Sequence, residues 1–220
     1  MALACVLPFA RPLFSVVNSP ELAALAVLGL TLVAPLFLDP GQVSGEAAWY
    51  VASRAHHADV GGMAPGSMGP ATDIFQEGLI LPPVRLLKGD RLDEELEALI
   101  LANTRTPRER RGDLLAMIGA NRVGLARLRQ WVERRGAAQL AAEAAALLDY
   151  SAARVRALIA RLPERPLAAR DLLDDDGAGT FDVPIQVTLT RAGEELTVDF
   201  AGSAPQARGN VNAGEAVTRA

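Results

Sequence analysis

Short apolar runs separated by turn residues predict β-strands in the first part of the chain. The run GLTLVAPLFL, which begins at Gly29, is apolar and partly β-branched, and the turn-rich segment DPGQVSGE separates it from AAWYVASR. Two such runs joined by turn residues are typical of a β-hairpin. A further strand-like segment, LILPPVRLLKGD, begins at Leu79, and Pro82 and Pro83 confine it to a sheet edge or a bulge.

Apolar residues spaced three and four positions apart predict two long helices in the centre of the chain. A helical region begins near Leu92, and Thr106 followed by Pro107 is typical of a helix start. Gly136 is expected to end the first helix and Pro163 to follow the second. Their short connection favours an antiparallel helix pair. The two apolar stripes are Leu114, Met117, Ile118, Asn121, Leu125, Leu128 and Val132, and Leu140, Ala144, Leu147, Ser151, Val155, Leu158 and Leu162.

The last part of the chain returns to alternation. The segments VPIQVTLT and LTVDFAGS, separated by RAGEE, predict a β-hairpin. Strands, then helices, then strands predict a mixed α/β fold of the α+β type, with β-hairpins flanking a central long antiparallel helix pair. We expect an atypical segment over 1–28 and a domain over 29–220, which is β-rich over 29–91, helical over 92–163 and β-rich over 164–220.

One apolar run could be mistaken for a membrane span. The segment from Leu22 to Leu38 has no charged residue, but its length is only at the lower limit for a transmembrane helix. Gly29 and Pro35 interrupt it, Glu21 and Asp39 flank it, and no Lys/Arg cluster sets an orientation. A small membrane-anchored protein remains an alternative, whereas a soluble protein fits these features better.

Composition narrows the functional classes. The 220 residues carry a formal net charge of −4, and the pI is about 5.3, which argues against an electrostatic nucleic-acid binder. The single cysteine, Cys5, excludes an internal disulfide and fits a cytoplasmic protein. Neither GxGxxG nor GxxxxGK[ST] occurs, so ATP is expected to bind elsewhere. The arginines off the first helical stripe are expected to form a solvated face: Arg108, Arg110, Arg127, Arg129 and Arg134.

Both histidines of the chain lie within four positions of each other and of an aspartate, at the end of a predicted strand. His56, His57 and Asp59 together suit a divalent cation that activates water or polarises an amide carbonyl. In a strand the two imidazoles face opposite sides, so one points into a site and the other supports it or packs. The alternative is a surface turn with two solvated histidines.

A glycine-rich loop follows this cluster. Gly61 and Gly62 could let the backbone approach a substrate and supply amide donors, or they could simply satisfy a tight crossover. Glu77 is a candidate general base or further metal ligand, although an isolated glutamate is commonly a surface residue. Two later segments, the acidic run 174–176 and the loop GSAPQARGNVN, are expected to form turns, although amides in the loop could meet a substrate.

Several motifs occur together in an order that resembles a known family. They are HHADVGG, PGSM, FQEG, NTRTPRERRGDLLAMIGANRVG, DDDG and VDFAGSAPQARGNVN, spread over roughly Gly29 to Asn212. In this order they resemble the hydantoinase B and 5-oxoprolinase family, to which subunits of acetone and acetophenone carboxylases are related. Family members are longer and begin with a region that has no counterpart here, so we expect a fragment.

The resemblance implies a function that the residues alone do not. It implies hydrolysis of a cyclic amide, hydantoin or 5-oxoproline, with a hydantoinase A-like partner subunit that binds ATP. It also implies a divalent metal (Mn, Zn or Fe) held by His56, His57 and Asp59. Asp59 and Glu77 are then the catalytic candidates, and Gly61 and Gly62 the substrate-binding ones. The alternatives are a ketone carboxylase fragment and a non-catalytic assembly fragment.

Overall fold

The computed structural model describes residues 3–7, 29–38, 47–67 and 69–214. The chain divides into two compact units, one formed by residues 1–136 with 214–220 and the other by residues 137–213. Helices and antiparallel sheets occur side by side in the chain, which confirms the predicted α+β class. The finer subdivision at residues 91 and 163 stays a prediction.

The first unit contains a three-stranded antiparallel sheet. Strands β1 (Leu3–Leu7), β2 (Gly29–Leu36) and β3 (Trp49–His56) lie in the order β1-β3-β2. The pairing of β2 with β3 runs from Gly29 opposite His56 to Leu36 opposite Trp49, which confirms the first predicted hairpin. The pairing of β1 with β3 was not predicted, and the other residues of the segment 1–28 lie outside the described part of the chain.

The central strand β3 is largely buried. Val51 is fully buried, and Trp49 and Ser53 are nearly so, because this strand has a neighbour on each edge and a helix on one face. In β2, burial alternates along the strand, as expected when one face packs on a core and the other does not. His56 therefore lies at the carboxyl end of the central strand of the sheet.

Two helices follow in the first unit. Helix α1 (Glu94–Ala102) begins where the Asp93 side chain accepts hydrogen bonds from the amides of Glu95 and Leu96. Helix α2 (Pro107–Arg135) has proline at its first position and ends at Gly136, whose φ of 82° is a left-handed conformation favoured by glycine. These ends of α2 confirm the predicted start at Thr106 and stop at Gly136.

The predicted stripe of α2 packs on the sheet. Its buried members are Leu114, Met117, Ile118, Asn121 and Leu128. Asn121 donates from Nδ2 to the Leu32 carbonyl oxygen at 3.1 Å. A Cβ at Gly124 would lie 2.7 Å from a Val51 methyl carbon, so a glycine there lets the helix approach β3 closely. The predicted solvated arginine face is wrong at Arg110, whose side chain is only 11% exposed.

The segment between the sheet and α1 is mostly irregular. It contains 3-10 turns at Pro65–Ser67 and Ile74–Gln76 and a two-stranded ladder of β4 (Leu87–Lys88) and β5 (Arg91–Leu92). The strand predicted from Leu79 is therefore wrong up to residue 86. Proline has no amide hydrogen, so the Pro82-Pro83 pair cannot donate to a ladder, and pairing begins only after it.

The second unit joins one helix to a second sheet. Helix α3 (Ala137–Ile159) precedes strands β6 (Leu167–Asp175), β7 (Phe181–Ala192) and β8 (Glu195–Asp199), which pair in the order β6-β7-β8. The ladder of β7 with β8 confirms the second predicted hairpin. Strand β6 was not predicted as a separate element.

The apolar stripe predicted for the second helix is largely exposed. Leu140 is the buried residue of α3, whereas Leu147, Val155 and Leu158 are each more than half exposed. The antiparallel pairing of the two long helices stays a prediction, since they belong to different units.

The apolar run from Leu22 to Leu38 forms a strand where it is described. Its residues Gly29–Leu36 are β2, and the part before Gly29 lies outside the described residues. Within the described ranges, none of the helices combines the length and the apolar character that crossing a bilayer requires.

Candidate functional site

The candidate site begins where β3 ends. His56 is the last residue of the strand and is exposed, whereas His57 and Asp59 are buried. Two backbone hydrogen bonds join the following loop to the segment before α1. The Met63 amide donates to the Gln76 carbonyl at 2.7 Å, and the Leu79 amide donates to the Val60 carbonyl at 2.9 Å. The glycine-rich loop therefore has a defined path close to the strand end.

Asp59 binds the connection between α1 and α2 through Arg105. One carboxylate oxygen, Oδ1, accepts from the Arg105 guanidinium at 2.8 Å and from the Gly61 amide at 3.1 Å. The other oxygen, Oδ2, accepts from the Arg105 backbone amide. Arg105 also donates to the Gly62 carbonyl at 2.7 Å. A single aspartate thus ties the start of the loop to residues 46 positions away.

This environment keeps Asp59 ionised. Burial alone would raise the pKa of the Asp59 carboxyl, but the hydrogen bonds from the Arg105 and Gly61 backbone amides and the guanidinium of Arg105 outweigh it. The net result is a pKa below the usual value of aspartate. A carboxylate offers about four acceptor positions, and three are occupied here, so one position on Oδ2 remains.

Gly61 and Gly62 pack against backbone. A Cβ at Gly61 would overlap the Asn103 carbonyl oxygen, and a Cβ at Gly62 would lie 2.5 Å from the Gln76 carbonyl oxygen. Both residues also have positive φ angles, 84° and 75°. These features support the tight-crossover interpretation, and the Gly61 amide is already used by Asp59. A substrate-binding role for either glycine stays a prediction.

His57 contacts the first turns of α2. Its Nδ1 lies 3.5 Å from Oδ2 of Asp113, and the same oxygen accepts from Nη2 of Arg110 at 2.9 Å. Burial lowers the pKa of His57 below its usual value, although Asp113 opposes this shift. The imidazole is therefore neutral at pH 7. Its Nε2 is buried without a hydrogen-bond partner.

A small cavity adjoins these side chains. It has a volume of about 20 Å³, and its polar lining residues are His57, Asp59, Thr104 and Arg110. The apolar part of the wall includes Leu30 of β2 and Leu114 of α2. Two nitrogen atoms of Arg110, Nε and Nη1, are buried and unpartnered, as is Nε2 of His57. Two residues of the cavity wall therefore carry buried polar atoms that have no partner within the protein.

The other predicted site residues lie outside this cavity. His56 and Glu77 do not line it, and Glu77 lies half-buried at the end of the 3-10 turn 74–76. Over the described ranges, no three His, Cys, Asp or Glu side chains come together as a potential metal-binding group. Of the predicted site residues, His57 and Asp59 both line the cavity, and their roles as ligands stay predictions.

Three contributors to the site were missed from sequence. They are Arg105, Arg110 and Asp113, which all lie in the motif NTRTPRERRGD. That motif was part of the family resemblance, which was the available signal for them. The spacing of residues within the motif could not reveal this role, because Arg105 and Asp113 contact residues that lie more than 40 positions earlier in the chain, after the end of β3.

Comparison with known proteins places the chain in a family. The model of the family described as hydantoinase B/oxoprolinase matches residues 14–220. The chain belongs to the hydantoinase B/oxoprolinase family. Among curated members, the 5-oxoprolinase of Saccharomyces cerevisiae is 28% identical over 92% of this chain and 16% of its own length. The caprolactamase subunit beta of Pseudomonas jessenii is 30% identical over 82% of this chain and 30% of its own length.

Two solved structures share the fold of this chain. The crystal structure of the ATP-dependent caprolactamase from Pseudomonas jessenii superposes with a TM-score of 0.73 at 29% identity, covering 85% of this chain and 31% of that chain. An acetone carboxylase matches with a TM-score of 0.70 over 84% of this chain and 26% of that chain, and its 18% identity shows the fold alone. The chain thus spans less than a third of these relatives.

Proposed function

We propose that the chain is part of a B-type subunit that hydrolyses a cyclic amide, hydantoin or 5-oxoproline, together with an ATP-binding A-type partner. The observation that carries this proposal is the family match over residues 14–220. Its relatives include a 5-oxoprolinase and a caprolactamase, enzymes of cyclic amides, and the caprolactamase is ATP-dependent. Nucleotide binding is assigned to the partner, since neither GxGxxG nor GxxxxGK[ST] occurs in this sequence.

We further propose that a divalent metal, of the manganese, zinc or iron type, binds at residues 56–59, the HHAD motif. The donor chemistry fits, because Asp59 is ionised and keeps one acceptor position, and imidazole suits these metals. The small cavity fits less well, because the Arg110 guanidinium lines it and would repel a dication. We therefore assign Asp59 and His56 as ligands and His57 as their support, with further ligands from the remainder of the full-length protein.

Such a metal would polarise the amide carbonyl and lower the pKa of a bound water. This chain's own residues would hold the geometry around it. Arg105 fixes the Asp59 carboxylate with two donors and also binds the Gly62 carbonyl, so the loop and its carboxylate are oriented together. Glu77 is the proposed general base, and the backbone of Gly61 and Gly62 the proposed substrate contact.

The proposal is tested with the assembled enzyme. The full-length subunit that contains this sequence, mixed with its A-type partner, ATP and metal, is expected to open 5-oxoproline or hydantoin. Asp59→Asn is expected to lower kcat by at least about a hundredfold, because it removes a charged ligand that is needed in the transition state. Asp90→Asn, at an exposed aspartate of the same unit, is the matched control and should leave kcat unchanged.

A second experiment uses the isolated 220-residue chain. It is expected neither to hydrolyse ATP nor to open 5-oxoproline, because catalysis requires activating groups and substrate contacts held together within about an ångström. ATP-dependent ring opening by this chain alone would contradict the proposed division of labour. An assembled complex that lacks cyclic-amide activity but carboxylates a ketone would move the function to the carboxylase branch.

A further inference from the structure

The second unit buries few apolar side chains for its size. All of residues 137–213 lie within the described ranges, and Leu140 and Val183 are the apolar side chains buried there. Ordering a chain of this length costs conformational entropy that apolar burial must offset. Two buried side chains and a set of half-buried ones offset only part of it. The unit therefore needs more apolar burial than its own residues supply.

Large apolar side chains are exposed on both the helix and the sheet of this unit. In α3, Val155 and Leu158 are each more than half exposed, and in the sheet Ile185 and Val198 are each more than 40% exposed. Val198 of β8 lies opposite Leu189 of β7, so Val198, Leu189 and Ile185 share one face of the sheet. Helix and sheet thus each present an apolar surface that the described residues leave open.

A groove lies between α3 and β8. Its volume is about 640 Å³, and its apolar lining includes Val155 and Ile159 of the helix and Leu196 of the strand. Strand β8 forms one edge of its sheet as the described residues define it. The charged residues of the lining are Arg156, Glu194 and Glu195. Apolar side chains with charged groups beside them suit an amphipathic polypeptide segment.

We propose that this groove is filled by an amphipathic segment of the same polypeptide, from the part of the full-length B-type subunit that lies outside these 220 residues. The inference rests on the proposed function only in that the chain is part of such a subunit. It assigns an interaction surface to the second unit, whereas the proposed hydrolase chemistry lies in the first.

The length of the relatives favours a segment of the same polypeptide. The chain covers 30% of the caprolactamase subunit beta and 31% of the solved caprolactamase chain, so most of a subunit of that length lies outside these residues. Segments of one polypeptide meet at a high effective concentration, whereas a second copy or a partner must first associate. Because the unit needs this burial in order to fold, the covering segment is expected to be in place before the subunit assembles.

Cysteine labelling of the full-length subunit tests whether the groove is covered. Val155→Cys places a thiol in the groove, whereas Ala157→Cys, the matched control, places one on the same helix outside the groove lining. Both positions are exposed in the 220-residue chain, so protection at either one must come from outside it. Alkylation is followed by peptide-resolved mass spectrometry, and each rate is divided by the rate in the denatured subunit.

The expected result is selective protection in the monomeric subunit without its partner. The thiol at position 155 should react at least about tenfold more slowly than the thiol at position 157, because its reaction requires displacement of the covering segment. Thr197→Cys, on the opposite wall of the groove, should show the same protection and decides the matter if Val155→Cys does not fold.

Three results would overturn the proposal. Equal rates at positions 155 and 157 would mean either that the groove is open or that α3 is enclosed on all sides. Protection that appears only after the A-type partner is added would make the partner the occupant. Protection that is lost when a dimeric subunit is diluted to monomers would make a second copy the occupant.

The activity of the assembled enzyme is measured separately, so the two proposals can fail independently. A subunit with a protected groove that opens no cyclic amide would contradict the proposed function and leave this inference standing. An active enzyme whose thiols at positions 155 and 157 react equally fast would contradict this inference alone.

Discussion

Two loops of this protein are each anchored by a buried aspartate, one in each compact unit. Asp59 in the first unit and Asp176 in the second both accept three hydrogen bonds from backbone amides or a guanidinium. Asp176 accepts from the amides of Ala178, Thr180 and Gly209 at 2.8–3.3 Å, and these bonds lower the pKa of its carboxyl far below the usual value. In both loops the carboxylate stays charged although it is buried.

The surroundings of the two carboxylates differ. The partners of Asp176 are backbone amides, and a Cβ at Gly209 would overlap the Asp176 carbonyl oxygen, so the loop closes tightly on it. Asp59 instead lines a cavity together with His57 and Arg110, two residues that carry buried polar atoms without a hydrogen-bond partner. Hydrogen bonding alone therefore does not mark a functional aspartate. What makes Asp59 the candidate is that its neighbours His57 and Arg110 carry buried polar atoms that the fold itself does not use.

The largest expected effect on stability is at Asp176, which anchors the loop of the second unit. Asp176→Ala removes the acceptor of three backbone amides, of which the Gly209 amide is in a buried hydrogen bond and is left without a partner. We expect it to lower the melting temperature more than any other substitution named here. Thermal unfolding followed by circular dichroism measures this, with the exposed Asp174→Ala as the matched control. Equal losses in the two variants would show that the Asp176 loop does not stabilise its unit.

The next largest effect is expected at Gly62, in the glycine-rich loop that follows β3. Gly62→Ala would place a Cβ 2.5 Å from the Gln76 carbonyl oxygen, so the backbone must shift. Gly89→Ala is the matched control, since Gly89 also has a positive φ, 64°, but open space around its Cβ position. Because backbone strain is common to both, their difference isolates close packing, which we expect to be about 1–3 kcal/mol in urea unfolding. Equal destabilisation would mean that φ alone selects glycine at this position.

The pH dependence of stability separates charge from shape at Asp176. Its pKa in the folded chain lies below its unfolded value, so ionisation stabilises the fold fully above the unfolded pKa, and this contribution is lost as pH falls below it. The stability difference between wild type and Asp176→Asn is therefore expected to be constant near neutral pH and to shrink below about pH 4. Urea titrations at several pH values measure it. A difference that stays constant to pH 2.5 would contradict the charge argument.

The smallest expected effect is a metal-dependent increase in stability of the first unit. If the HHAD motif binds manganese or zinc, free metal at about ten times Kd adds roughly 1.4 kcal/mol to the free energy of unfolding. His56→Ala and Asp59→Ala should remove this increment, and His57→Ala should weaken it, whereas Asp90→Ala should not change it. An equal metal effect in wild type, His56→Ala and Asp59→Ala would place binding elsewhere.

The candidate site was only partly predictable. His57 and Asp59 were found from sequence because two histidines and an aspartate are concentrated at the end of a strand. Their partners were not found, and Arg110 was wrongly assigned to a solvated face. Arg110 lies in a run of charged residues, which predicts a solvated helix face, and only the packing of the first turns of α2 on the strand end buries its side chain.

Local pattern by itself determined the two predicted hairpins and the ends of α2. Turn residues fixed the two hairpins, and the proline after Thr106 and the glycine at 136 fixed both ends of α2, because these residues restrict or permit backbone angles without help from distant parts of the chain. Only the tertiary structure decided which polar residues act together. The contact of Arg105 with Asp59 and of Asp113 with His57 depends on how the helices lie on the sheet, and sequence spacing carries no information about that distance. The exposure of the α3 stripe has the same cause, since periodicity shows that a helix has an apolar face but not what covers it.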